Sequence, residues 1–90
     1  QLCDWVGEVV SSAAAEQGQW RVKVKCRNRF YEGDELEVLS PHKPIRTIKV
    51  QGLAEVYDGA EVPSEVACKA MAPYAFTSSF ELEPHSACSS

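Results

Sequence analysis

Between Trp20 and Arg27 the chain alternates without a break: Trp20, Val22, Val24 and Cys26 take one set of positions, and Arg21, Lys23, Lys25 and Arg27 the other. Successive side chains of a strand point to opposite faces, so this period of two sets an apolar row against a core and a basic row in water. A helix cannot sort these residues, because its 3.6-residue period would spread the charges over every face. Other segments must therefore supply apolar faces that complete the core.

They do so in short pieces. Trp5-Val6-Gly7-Glu8-Val9-Val10 is rich in β-formers and predicts a first strand, followed by a loop or short helical turn through Ser11, Ser12 and three alanines. Gln17-Gly18 turns the chain into the basic strand. Gly33, free to take a positive φ, precedes a third strand with Leu36 and Val38 on one face. Pro41 and Pro44 bracket a break, after which Ile45 to Val50 resumes a β-branched run. Asp58-Gly59 between two apolar stretches predicts a type I′ hairpin. Pro63-Ser64 opens at most one helical turn before Met71, and Tyr74, Phe76, Phe80 and Leu82 predict a last strand running to Leu82. Residues 85–90 read as a flexible tail. Six or seven short strands in residues 1–84 point to one all-β domain, a small closed or nearly closed β-barrel, since closure removes exposed sheet edges.

Ninety residues with 44% hydrophobic content suffice for one core and not two. The apolar runs fall far short of a membrane span, and the chain opens on Gln1 with no leader, so it is expected to be a piece of a larger cytoplasmic protein with no membrane partner. Cys3, Cys26, Cys68 and Cys88 form no C-x-x-C pair, which argues against a zinc site and for reduced thiols. Cys26 falls on the core face, and Cys68 lies in an apolar stretch where a thiol behaves as a small hydrophobe. Neither a metal nor another cofactor is expected.

Charge is distributed unevenly. Arg21, Lys23, Lys25, Arg27 and Arg29 give residues 21–29 a charge of +5 within a chain of net −4, so the remainder carries −9. Side chains on one strand face recur every 6.6–7 Å or so, near the phosphate spacing of an extended single strand, which makes these five residues the candidate binding set. Glu35 and Glu37 offer the opposing reading: paired antiparallel with the basic strand, they would neutralise two of the charges. No aromatic stripe for stacking bases is evident, because Trp20 has the inward parity. His42, in a proline-flanked turn, and His85, in the tail, are expected to face solvent, and no catalytic motif is present, so no residue is assigned to catalysis.

The order of several phrases is distinctive. Asp4-Trp5-Val6-Gly7-Glu8-Val9-Val10, Val22-Lys23-Val24-Lys25, Arg27-Asn28-Arg29-Phe30 and Gly33-Asp34-Glu35-Leu36-Glu37-Val38-Leu39-Ser40-Pro41 resemble the C-terminal domain of the collagenase-like peptidases of family U32. Past Pro41 the likeness is looser; Cys68 stands where the family has proline, and the family's closing Gly-Asp-x-Leu-Arg is missing. The resemblance implies a barrel similar to domain two of elongation factor Tu, attached to a catalytic barrel that performs peptide hydrolysis or RNA hydroxylation. It marks Gly7, Asn28, Phe30, Gly33 and Asp34 as structural positions of the motif. The expected role is a non-catalytic accessory domain that positions an RNA or protein substrate for the parent's catalytic domain or stabilises it, with that domain and RNA as the expected partners; packing or oligomerisation alone, or a collagen-like or other peptide held by Tyr31, Tyr57 or Tyr74, are the alternatives.

Overall fold

The computed structural model describes residues 4–90; Cys3 lies outside them. The described residues form ten strands, β1 (Trp5–Ala14), β2 (Trp20–Cys26), β3 (Phe30–Tyr31), β4 (Glu35–Leu39), β5 (Arg46–Lys49), β6 (Gln51–Tyr57), β7 (Ala60–Pro63), β8 (Val66–Ala67), β9 (Pro73–Ser78) and β10 (Ala87–Ser89). Eight of them make one curled sheet in the order β5-β4-β10-β1-β2-β9-β6-β7, and β3 pairs with β8 separately. All the pairings are antiparallel, the chain passes directly from edge strand β5 through Val50 into β6, and the eight strands form a curled, half-barrel sheet with β5 and β7 at its edges.

The alternation of β2 is realised. Val22 and Val24 are buried opposite Phe76 and Tyr74 of β9, Cys26 is buried opposite Gly7 of β1, and Lys23 and Lys25 point outward. Val6, Val9, Leu36, Val38, Ile48, Val50, Leu53 and Leu82 complete the core. In β1 both Val6 and Gly7 face inward: Gly7 sits opposite Cys26 beside a register irregularity, and a Cβ there would lie 3.2 Å from the Lys25 carbonyl oxygen. A side chain here would force β1 and β2 apart by a few tenths of an ångström, which glycine avoids. The β6–β7 hairpin turns at Asp58 (φ 53°) and Gly59 (φ 80°), both in the left-handed region that a type I′ turn requires.

Several expectations need correction. The predicted loop at Ser11–Ala14 is strand, paired with Trp20–Lys23; Ser11, Ala13 and Ala14 are exposed and Ser12 is half-buried against Leu82, and the ladder satisfies the backbone. No helical turn follows Pro63; Val66 and Ala67 pair with Tyr31 and Phe30 instead. The last predicted strand stops at Ser78, whose hydroxyl donates to the Phe80 carbonyl (2.8 Å) and accepts from its amide (3.2 Å), turning the chain. The tail is no tail: β10 lies between β1 and β4, with Ser86 and Cys88 buried. Counting six or seven strands overlooked the two- and three-residue strands that only tertiary pairing supports.

Candidate nucleic-acid interface

The five basic residues separate into two groups. Arg21, Lys23 and Lys25 stand on the outer face of β2; Arg27 and Arg29 stand on the loop between β2 and β3. Arg21 is structurally engaged. Its Nη2 and Nε reach Glu61 Oε1 at 2.7 and 3.2 Å, and its Nη1 donates to Thr77 Oγ1 at 3.0 Å, joining β2 to β9 and to the β6–β7 hairpin. The hydrogen bond from Arg21 holds the Glu61 carboxyl below the usual carboxylate range, with a smaller contribution from the charge of Lys23.

Lys23 and Lys25 make no salt bridge among the described residues. The expected neutralisation by Glu35 and Glu37 does not occur, because β4 pairs with β5 and β10, not with β2, placing Glu35 opposite Lys49 and Glu37 opposite Thr47 and Ser89. Lys25 does lie across the ladder from Glu8, but that carboxylate contacts His85 Nδ1 at 3.0 Å.

The loop is fixed to β1. The Arg27 and Asn28 amides both donate to the Val6 carbonyl (2.8 and 3.3 Å), and Asn28 Nδ2 donates to the Trp5 carbonyl at 2.6 Å. The Arg27 guanidinium then lies 4.0 Å from the centroid of the Trp5 ring, whose Nε1 donates to the Gly7 carbonyl at 2.9 Å. Trp5 remains 40% exposed. Two residues on, the Tyr31 hydroxyl beside Arg29 raises the guanidinium's pKa above its ordinary value, first by hydrogen bonding and then by charge. Tyr31 is 47% exposed.

Phe30, between these exposed residues, points inward and is buried, meeting Tyr74 and Phe76 edge-on at centroid distances of 6.5 and 6.4 Å. Asp34 Oδ2 accepts from the Tyr31 amide (2.8 Å), and the Gly33 amide donates to the Val50 carbonyl (2.8 Å) while Asp34 accepts from Val50 (2.9 Å). Gly33 holds φ at 90°, which a side chain would strain. The residues carrying the family likeness thus shape the barrel and aim the loop.

The sequence reading did not join Trp5 and Tyr31 to the basic residues: for base stacking it weighed Trp20 alone, and it placed Tyr31 only as a peptide contact. The available signal was parity: Trp5 precedes inward Val6, and Tyr31 follows inward Phe30. Tyr74, in contrast, is buried, its hydroxyl accepting from the Cys68 and Lys69 amides at 3.2 and 3.1 Å, so it cannot serve an external peptide. Cys68 is exposed, not packed as a hydrophobe, whereas Cys26 and Cys88 are buried; all three are free thiols. His42 and His85 are exposed. Among the described residues no three of His, Cys, Asp and Glu converge on a metal position, and no helix is long and apolar enough to cross a membrane.

Fold and surface together define a small β-barrel module with a basic outer strand that ends in an aromatic and arginine-bearing corner. The chain belongs to peptidase family U32, whose C-terminal-domain model matches residues 1–86. Two crystal structures of the C-terminal domain of a U32-family protein from Geobacillus thermoleovorans share the fold. The selenomethionine variant superposes with a TM-score of 0.79 at 24% identity, covering 97% of this chain and 99% of that one. The other gives 0.78 at 24% identity, covering 97% and 92%. No curated protein matches the chain.

Proposed function

We propose that this domain is a non-catalytic accessory barrel that positions RNA for a separate catalytic domain of its parent protein. The observation that carries the reading is the pair Lys23 and Lys25: two outward ammonium groups on one strand face, with no carboxylate within salt-bridge distance among the described residues, continuing into Arg27 and Arg29. Such a row suits a phosphate backbone, whose neutralisation releases counterions. His85 meets Glu8 in the open, and among the described residues no nucleophile is bonded to either, so this pair is read as surface charge. Peptide hydrolysis or RNA hydroxylation then belongs to the other domain.

A salt titration of the domain against single-stranded RNA tests this. With Arg21 occupied, three or four phosphate contacts are expected, giving a slope of log K against log salt of about −2 to −3. Lys23→Glu with Lys25→Glu should abolish binding while leaving the fold intact; unchanged affinity sinks the reading.

A packing role has one observation in its favour. Tyr57 (70% exposed) and Val62 (51%) share a face of the β6–β7 hairpin at the sheet's edge, an apolar patch suited to the catalytic domain. Under that reading, deleting the barrel lowers the parent's stability and leaves substrate affinity unchanged. A peptide-binding role retains Tyr31 and Tyr57 but loses Tyr74, and ranks below both.

A further inference from the structure

We infer that Trp5 and Arg27 form a stacking platform for an unpaired nucleobase, which makes the surface selective for single-stranded over duplex RNA. The inference deepens the RNA-positioning reading and rests on it.

The argument begins from how much of the structure is spent on holding this pair in place. The Arg27 amide is anchored on Val6, the Asn28 side chain on Trp5, and the indole nitrogen on Gly7, so the loop backbone and the indole ring are held in place before a ligand arrives, and the guanidinium rests against that ring. A guanidinium 4.0 Å from an indole centroid is a cation–π contact, and a guanidinium or an indole plane is also a surface on which an aromatic base can stack. An isolated apolar contact would bury the indole; here it stays 40% exposed.

Placement supplies the second part. Gly7 pairs with Cys26, so the platform lies at the Arg27 end of β2, where the outward row of Lys23 and Lys25 runs out. A backbone tracking those ammonium groups would bring its next base to the Trp5–Arg27 pair, and Arg29 with exposed Tyr31 follow on the same loop. Alternation of phosphate-holding cations with base-stacking rings is the chemistry of sequence-tolerant single-strand binding. A duplex keeps its bases stacked on each other and offers the platform nothing.

Tryptophan emission reads the contact directly. In Trp20→Phe, Trp5 is the sole remaining tryptophan, and titration with oligouridylate should quench it saturably, whereas an abasic oligonucleotide of equal phosphate number should not. Trp5→Leu should weaken oligouridylate binding about tenfold or more. Arg27→Met, which keeps the aliphatic stem and the fold, should weaken it by more than loss of one phosphate contact does in Lys25→Met. If charge reversal at Lys23 and Lys25 abolishes binding but Trp5 is neither quenched nor needed, the platform is wrong and the RNA reading stands. If nothing binds at low salt, both fall.

Discussion

The side-chain amide of Asn28 donates to the backbone carbonyl of Trp5 at 2.6 Å across 23 residues of sequence. Together with the Arg27 and Asn28 amides on Val6, it locks the β2–β3 loop to the start of β1. Asn28→Ala removes one partly solvated bond and should cost about 0.5–1.5 kcal/mol, seen as a lower urea midpoint with an unchanged m-value. Its effect on RNA affinity should exceed what that stability loss explains, because Arg27 and Trp5 lose their fixed relation.

Gly7 makes a harder test of the barrel. A methyl group there would meet the Lys25 carbonyl at 3.2 Å in a buried, bulged stretch where both neighbours are backbone-bonded. Gly7→Ala should destabilise by about 1–3 kcal/mol, as overpacking does, whereas Gly18→Ala, with nothing within 4 Å, should show only the cost of its positive φ. Equal losses at the two positions would refute the close approach.

Phe30 is the buried hinge of the loop. Removing its ring leaves Tyr74 and Phe76 without their edge-on partner, so Phe30→Ala should cost about 3–5 kcal/mol, while Tyr31→Ala, on the exposed side, should stay within about 0.5–1 kcal/mol. Chemical denaturation of the two variants side by side checks the inward and outward parity of adjacent residues.

What could be read in the sequence was what is local. The β2 alternation, the Asp58-Gly59 turn and the Leu36–Val38 face each declare themselves within a few residues, and each stands in the structure as read. What could not be read depends on partners distant in sequence. Ala87-Cys88-Ser89 is too short to show a period, and becomes a strand only because Gly7 and Val38 flank Cys88 on either side. The same holds for the site: five basic residues were visible, but Arg21 is withdrawn by Glu61 forty positions away, and Trp5 joins through a cation–π contact with Arg27 that no spacing rule anticipates.

The Arg21–Glu61 pair should leave a small acid-side signature. Glu61 titrates below its ordinary value of 4.5 in the folded protein, because Arg21 bonds its charged form. The unfolded chain therefore binds the proton first as pH falls, so the contribution is present above about pH 4.5 and is lost as pH drops through the lower folded value. With the Glu61 side chain 45% exposed, solvent screening limits the effect to a few tenths of a kcal/mol, roughly. Glu61→Gln should flatten the stability curve below pH 5 by that amount, and raising the salt should shrink the difference from the parent chain.

Cys88 should act at the other end of the pH scale. Burial between β1 and β4 pushes its thiol from an ordinary 9.0 up to about 12, because desolvation disfavours the thiolate. The folded state thus keeps its proton where the unfolded state releases it, and stability is full below pH 9 and declines as pH rises toward 12. The slope from this one group approaches about 1.4 kcal/mol per pH unit within that window. Cys88→Ala removes the titration, so the difference in unfolding free energy between the two chains should narrow steadily above pH 9 while staying constant from pH 6 to 8. Thiol labelling supplies the kinetic counterpart in a Cys3→Ser background: exposed Cys68 should react at once in the native state, and Cys88 only at the rate at which β10 leaves the sheet. Rapid native labelling of Cys88 would mean that β10 does not hold its place between β1 and β4.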